Sequence, residues 1–187
     1  LSGASVDVSF ISFDDIINDG VPEGVDVIIN AGDAGTSFSG GEVWKNETLI
    51  TRIREFVYNG GGFVGVGEPT AVHHQGRFFQ LGDILGVERE MGYSLSTDKY
   101  FTKELKEHFI IEDIEDVHKI DFGENIKNVY GLTSATEVLE FSNPKVSAGG
   151  VEEGIVLPAN AEGKEFGEIH LAANPYGKGR GVYIAGL

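Results

Sequence analysis

Short apolar runs alternate with amphipathic stripes over the first hundred residues, and the two periods predict strands and helices in turn. Asp7 to Ile11, "DVSFI", is short, apolar and β-branched and reads as a first strand. Ser12 with Asp15 three residues on resembles a capping box. Phe13, Ile16 and Ile17 then supply one helical face that ends at Gly20. Val25 to Ala31, "VDVIINA", is a second buried strand. After a glycine-rich loop, Asn46 caps a helix whose Leu49, Ile50, Ile53, Phe56 and Val57 fall on one stripe, with Gly60 as its stop. Phe63 to Gly67, "FVGVG", is the third strand. Strands joined by helices imply right-handed crossovers, so the fold class expected is α/β, an open doubly wound parallel sheet.

Beyond Tyr93 the pattern changes. Thr102 to Phe109 reads as a short helix, and the runs "HKIDFG", "NVYGLTSATEVLEFS", "EGIVLPANA", "FGEIHLAAN" and "GRGVYIAGL" follow as strands separated by turns. Asn174 to Gly179, "NPYGKG", is a strong turn between two of them. Antiparallel strands toward the C-terminus on the same sheet are the expectation, with residues 1–187 as a single domain. The start at Leu1 and the finish on the apolar run "GVYIAGL" suggest a fragment of a longer multidomain protein.

Composition removes several function classes. Fourteen Lys and Arg against thirty Asp and Glu give a formal charge of −16, which repels a phosphate backbone and argues against nucleic acid as a partner. The absence of cysteine excludes disulfides, thiolate metal sites and cysteine nucleophiles. No run approaches the roughly 18 consecutive apolar residues of a membrane span, and no signal peptide opens the chain, so a cytoplasmic chain with no membrane partner is expected.

Four places carry candidate chemistry. The loop Ala31 to Trp44, "AGDAGTSFSGGEVW", follows a strand at the carboxyl edge of the sheet, where open α/β sheets bind ligands. Its glycines, with Asp33, Thr36, Ser37 and Ser39, offer N–H and hydroxyl groups to an anion or a sugar; a plain surface connection accounts for the same composition. The second place is Gly60 to Thr70, "GGGFVGVGEPT", a glycine stop, a strand and a sharp turn in the layout of a nucleophile elbow. Gly67 stands where the reactive side chain belongs. Glu68 is expected at the rim of the crevice, to accept hydrogen bonds from sugar hydroxyls or a neighbouring domain, or else to hold the turn. The third is His73-His74 with Arg77. Adjacent histidines on an extended segment point to opposite sides, so they form no metal pair, and a polar rim with Arg77 as an anion contact is the functional alternative to a structural one. The fourth, Gly92 to Tyr100, "GYSLSTDKY", suits a sugar platform or a domain interface. No serine sits on an elbow, so no Ser-His-Asp order is defensible.

Val27 to Gly32, the following "GTSFSGGEVW" and above all Phe63 to Tyr100 resemble the central domain of the 1,3-β-galactosyl-N-acetylhexosamine phosphorylases, also called lacto-N-biose or galacto-N-biose phosphorylases. The likeness covers most of the chain and is densest over residues 25 to 100. It implies a flavodoxin-like fold similar to class I glutamine amidotransferases without their catalytic cysteine, which agrees with Gly67 at the elbow. It also implies a non-catalytic domain in an inverting phosphorylase, a glycosyltransferase-type enzyme that converts a β-1,3-galactosyl-N-acetylhexosamine and phosphate to galactose 1-phosphate and N-acetylhexosamine. The general acid would belong to an N-terminal barrel, so the fragment alone is expected to be inactive. The alternative is a structural or oligomerisation module, or a stand-alone sugar-binding domain, with no part in catalysis. No cofactor and no metal are expected, inorganic phosphate being a co-substrate of the parent. The expected partners are the barrel and C-terminal domains of the same chain, the galactosyl disaccharide, and a second copy in a homo-oligomer.

Overall fold

The computed structural model describes residues 5–36, 38–72, 78–89, 109–112, 129–131, 137–139 and 171–185. Helix α1 (Phe13–Asp19) starts at the expected capping box, Ser12 accepting from the Asp15 N–H while the Asp15 carboxylate accepts from the Ser12 N–H. Strand β1 (Val27–Gly32) leads through a loop and a 3₁₀ turn (Gly41–Lys45) to helix α2 (Glu47–Tyr58). The Asn46 side chain caps α2 by accepting from the N–H groups of Thr48 and Leu49, two of the donors a helix start leaves without an internal partner. Leu49, Ile53 and Val57 are the buried stripe of α2, with Ile50 and Phe56 half-buried beside them. Strand β2 (Gly62–Gly67), helix α3 (Gly82–Leu85), strand β3 (Val87–Arg89), helix α4 (Phe109–Glu112) and strands β4 (Val129–Gly131), β5 (Glu137–Leu139), β6 (Leu171–Tyr176) and β7 (Gly179–Ile184) follow.

Five strands form one mixed sheet in the order β1-β2-β7-β6-β5. β1 and β7 both run parallel to β2, in registers that oppose Ile29 to Val64 and Val64 to Val182. β6 is antiparallel to β7 and to β5, so an α/β sheet with antiparallel strands toward the C-terminus is what the chain forms. β3 and β4 make a separate antiparallel pair. Alternation along the strands separates two faces. Ile28, Phe63, Ala172 and Tyr183 join the main core, with side chains from α1, α2 and α3. Leu171 and Ala173 form a smaller cluster with Val182, Ile184 and Ile110 of α4. Gly181 lets α3 lie against β7: a Cβ there would fall 2.0 Å from the Ile84 carbonyl oxygen.

Two expectations are corrected. Residues 7–11 form no strand; the segment pairs with none of the described strands, with Val6 and Val8 half exposed and Phe10 95% exposed. Its alternation satisfies the local signal for a strand, yet a strand exists only where a neighbour supplies hydrogen bonds, and β1 offers it none. The expected turn at 174–179 is tighter than its composition suggests. Asn174, Pro175 and Tyr176 belong to β6, Tyr176 pairs with Gly179, and Gly177-Lys178 alone make the reversal. The runs at 118–123 and 153–161, and the helix expected from 102 except for Phe109, lie outside the described residues.

Candidate functional site

The loop after β1 and the turn after β2 leave the same edge of the sheet, because the strands are parallel neighbours and Gly32 is opposite Gly67. The Glu68 N–H donates to the Gly32 carbonyl at 3.0 Å, carrying the pairing one residue past the strands. Gly67 adopts φ +78°, and a Cβ there would lie 3.1 Å from the Gly32 oxygen. A left-handed φ and a close backbone approach both favour glycine, so the elbow position is filled by the residue the geometry wants and holds no nucleophile. Tyr183 of β7, fully buried, donates its hydroxyl to the Gly67 carbonyl at 3.4 Å. Burial first, and the Glu68 charge second, push the Tyr183 phenol far above its ordinary value, which keeps the proton on that donor.

Glu68 is inside the structure rather than on the rim, at 3% exposure. One carboxylate oxygen accepts the Ala34 N–H at 3.0 Å and the other pairs with the Arg89 guanidinium from β3. The local turn was legible, but the partner that draws the carboxylate inward lies 21 residues away in the chain.

Asn30 is the second buried polar anchor. Its amide nitrogen donates to the carbonyls of Phe38 at 3.0 Å and Ser39 at 3.4 Å, and its oxygen accepts the Thr70 N–H at 3.1 Å. One side chain on β1 thereby fixes both the loop and the turn. Thr70 is buried at φ +60°, an uncommon conformation for a β-branched residue. It is over-determined there: its N–H goes to Asn30, its hydroxyl accepts the Leu81 N–H and its carbonyl accepts the Gln80 N–H.

Within the loop, the buried Ser39 hydroxyl lies 3.0 Å from the Thr36 hydroxyl and donates to the Asp33 carbonyl, while the Ser39 carbonyl accepts the Trp44 indole N–H. Trp44 is fully buried and meets Phe13 edge-on at 5.5 Å between ring centroids. The outcome is a loop built like a core element, which leaves Asp33 exposed, Thr36 half-buried and Phe38 at 75% exposure.

Of the expected site residues, Asp33, Thr36 and Glu68 are brought together with Gly67. Ser37, His73, His74 and Arg77 lie outside the described residues, as do residues 92–100. Asn30, Thr70 and Arg89 were not singled out. The signal for Asn30 was present, since an amide inside the apolar run Val27 to Ala31 has to find partners once buried.

A model of the lacto-N-biose phosphorylase central domain matches residues 1–187, the whole chain. The chain belongs to that family. Among the curated relatives that the chain matches, three carry the name 1,3-β-galactosyl-N-acetylhexosamine phosphorylase. Two are from Lachnoclostridium phytofermentans, 40% and 43% identical over 188 residues, each match covering 100% of this chain and 22% of the relative. The one from Bifidobacterium longum is 41% identical over 205 residues, covering 100% and 26%. A D-galactosyl-β-1→4-L-rhamnose phosphorylase from L. phytofermentans is 33% identical over 186 residues, covering 99% and 22%. The chain thus spans about a quarter of the length of the curated relatives it matches.

Proposed function

We propose that this chain is the non-catalytic, amidotransferase-like central domain of an inverting glycoside phosphorylase acting on a β-1,3-galactosyl-N-acetylhexosamine. In that reaction inorganic phosphate attacks the anomeric carbon from the face opposite the leaving sugar. A carboxylic acid elsewhere in the parent protein protonates the departing oxygen, giving galactose 1-phosphate and N-acetylhexosamine. The domain's part is to cover the mouth of the active site with the loop after β1 and to exclude water. Phosphate rather than water then reaches the anomeric carbon.

The observation that carries this reading is the division between the two segments at the sheet edge. The elbow turn presents Gly67 and no nucleophile, while the adjoining loop is held by buried polar groups on Asn30, Ser39 and Glu68. A water-shielded polar network is costly unless fully satisfied, and here it fixes a surface rather than reacts. Glu68 serves the substrate indirectly, by holding Ala34 and with it the start of the loop. The 33% identical rhamnoside phosphorylase supports galactosyl transfer to phosphate as the shared chemistry, with the acceptor sugar varying.

The test is a phosphorolysis assay with galacto-N-biose and lacto-N-biose on the full-length parent beside this chain alone. Galactose 1-phosphate from the parent and none from the chain is the expected result. Release by the chain alone, or by neither protein on either sugar, removes the proposal.

A second reading, a docking module for other domains or a second copy, draws on the half-exposed Val27 and Ile29 of β1 together with Val6, Val8 and Phe10. Changing Ile29 and Phe10 to Asp would then break assembly and leave a properly folded chain. An unchanged native mass would count against it.

A further inference from the structure

Phe38 is a large apolar side chain left 75% exposed on a segment that the protein spends several buried polar groups to hold still. Its own carbonyl is gripped by the Asn30 amide at 3.0 Å, and the next residue, Ser39, is fully buried with its hydroxyl tied to Thr36 and Asp33. The ring therefore projects from a fixed base at the carboxyl edge of the parallel strands. Mobile loops carry exposed aromatics at little cost, whereas a pre-ordered one has already met the entropy of binding.

Its immediate loop neighbours are polar. Asp33 is exposed and Thr36 half-buried, and the hydroxyl of Ser39, the residue after Phe38, reaches the backbone carbonyls of both. A protein interface would ask for a contiguous apolar patch. An exposed aromatic ring on a fixed base, in a loop that also carries the exposed Asp33 and the half-buried Thr36, matches a pyranose instead, which has one face of C–H groups and a perimeter of hydroxyls.

We propose that Phe38 is a sugar-stacking residue, its ring taking the C–H face of a pyranose of the galactosyl disaccharide. Asp33 and Thr36 accept or donate hydrogen bonds at that sugar's hydroxyls. This rests on the phosphorylase reading and adds to it the residue through which the covering loop touches substrate. Phe38 contributes to sugar binding and takes no part in proton transfer or phosphate binding.

The test uses the full-length protein with Phe38→Ala, Phe38→Tyr and Phe38→Trp. Phosphorolysis kinetics are read beside calorimetric binding of galacto-N-biose. Losing one aromatic contact raises KM and Kd for the disaccharide by about tenfold in Phe38→Ala. The KM for phosphate stays unchanged, and Tyr or Trp restores most of the sugar affinity. Three outcomes overturn the inference: an unchanged sugar KM and Kd in Phe38→Ala, equal losses in Ala and Trp, or a loss accompanied by a changed native mass. A parent that turns over neither sugar removes the phosphorylase reading. In that protein, disaccharide binding abolished by Phe38→Ala still upholds the stacking contact, and an absence of disaccharide binding overturns it.

Discussion

The side-chain oxygen of Asn30 accepts the backbone N–H of Thr70 at 3.1 Å, across forty residues of chain. The amide of the same side chain holds the carbonyls of Phe38 and Ser39. Asn30→Ala strands one buried N–H and loosens two carbonyls. A loss of about 2 kcal/mol is expected, seen as a lower urea midpoint with an unchanged slope. Asn30→Asp keeps the acceptor for Thr70 and loses the donor to the loop, so protease cleavage near residue 38 should rise in both variants. An Ala variant with the midpoint of the parent sequence would show that the amide does not join loop to turn.

Arg89→Leu leaves the Glu68 carboxylate, with its side chain 4% exposed, without its guanidinium partner. Removing one member of such a pair costs about 3 kcal/mol, much of it the uncompensated buried charge. Adding Glu68→Gln removes that charge and keeps an acceptor for the Ala34 N–H, so the double variant should recover a good part of the loss. Simple additivity of the two single changes in a double-mutant cycle would rule out the coupling.

Gly67→Ala forces a Cβ onto φ +78° and to 3.1 Å from the Gly32 oxygen. A destabilisation of about 1 kcal/mol or more is expected, together with faster exchange of the Glu68 amide, whose partner is that same oxygen. Thermal unfolding and hydrogen exchange read the two effects separately. Equal stability of the two proteins would contradict the turn geometry.

Glu88 gives a pH signature. Burial raises its pKa above the ordinary 4.5, with the N–H groups of Arg89 and Phe79 opposing and the Asp83 charge adding to the rise. A carboxyl whose folded pKa is raised holds its proton more tightly when folded. It imposes no penalty below its ordinary value, and the penalty grows as pH rises through the folded value. Glu88→Gln keeps the oxygen that accepts from Phe79 at 2.8 Å and Arg89 at 2.9 Å and cannot ionise. The Gln variant should gain stability relative to the unsubstituted protein as pH rises from 4 to 7, the two converging at the acid end. A difference that shrinks with rising pH would refute the sign.

Local signals were sufficient for α1, α2 and the first parallel pair. Asn46 before the Leu49, Ile53, Val57 stripe fixes α2 within one turn of chain, and so does Ser12 with Asp15 for α1. The vacancy at Gly67 was also legible, because an elbow has a fixed spacing. What escaped depended on distant partners. Residues 7–11 have the alternation of a strand, but pairing is decided by what β1 presents to them. Glu68 follows a turn that suggests a rim, and only Arg89 explains why it points inward. Asn30 shows the reverse case, a polar residue in an apolar run whose need for partners was visible while their identity was not.

The order of the sheet also sets a timetable. β7 lies between β2 and β6, so the strand that joins the two halves of the sheet is the last described one in the chain. At ribosomal speed, roughly ten seconds separate the emergence of β2 from that of β7. During that interval Phe63 and Val66 sit on a strand whose inner edge is unpaired, a template for any other extended chain nearby. Synthesis therefore passes through a period of aggregation risk that the finished sheet no longer shows, and chaperone demand should peak just before residues 179–184 leave the exit tunnel.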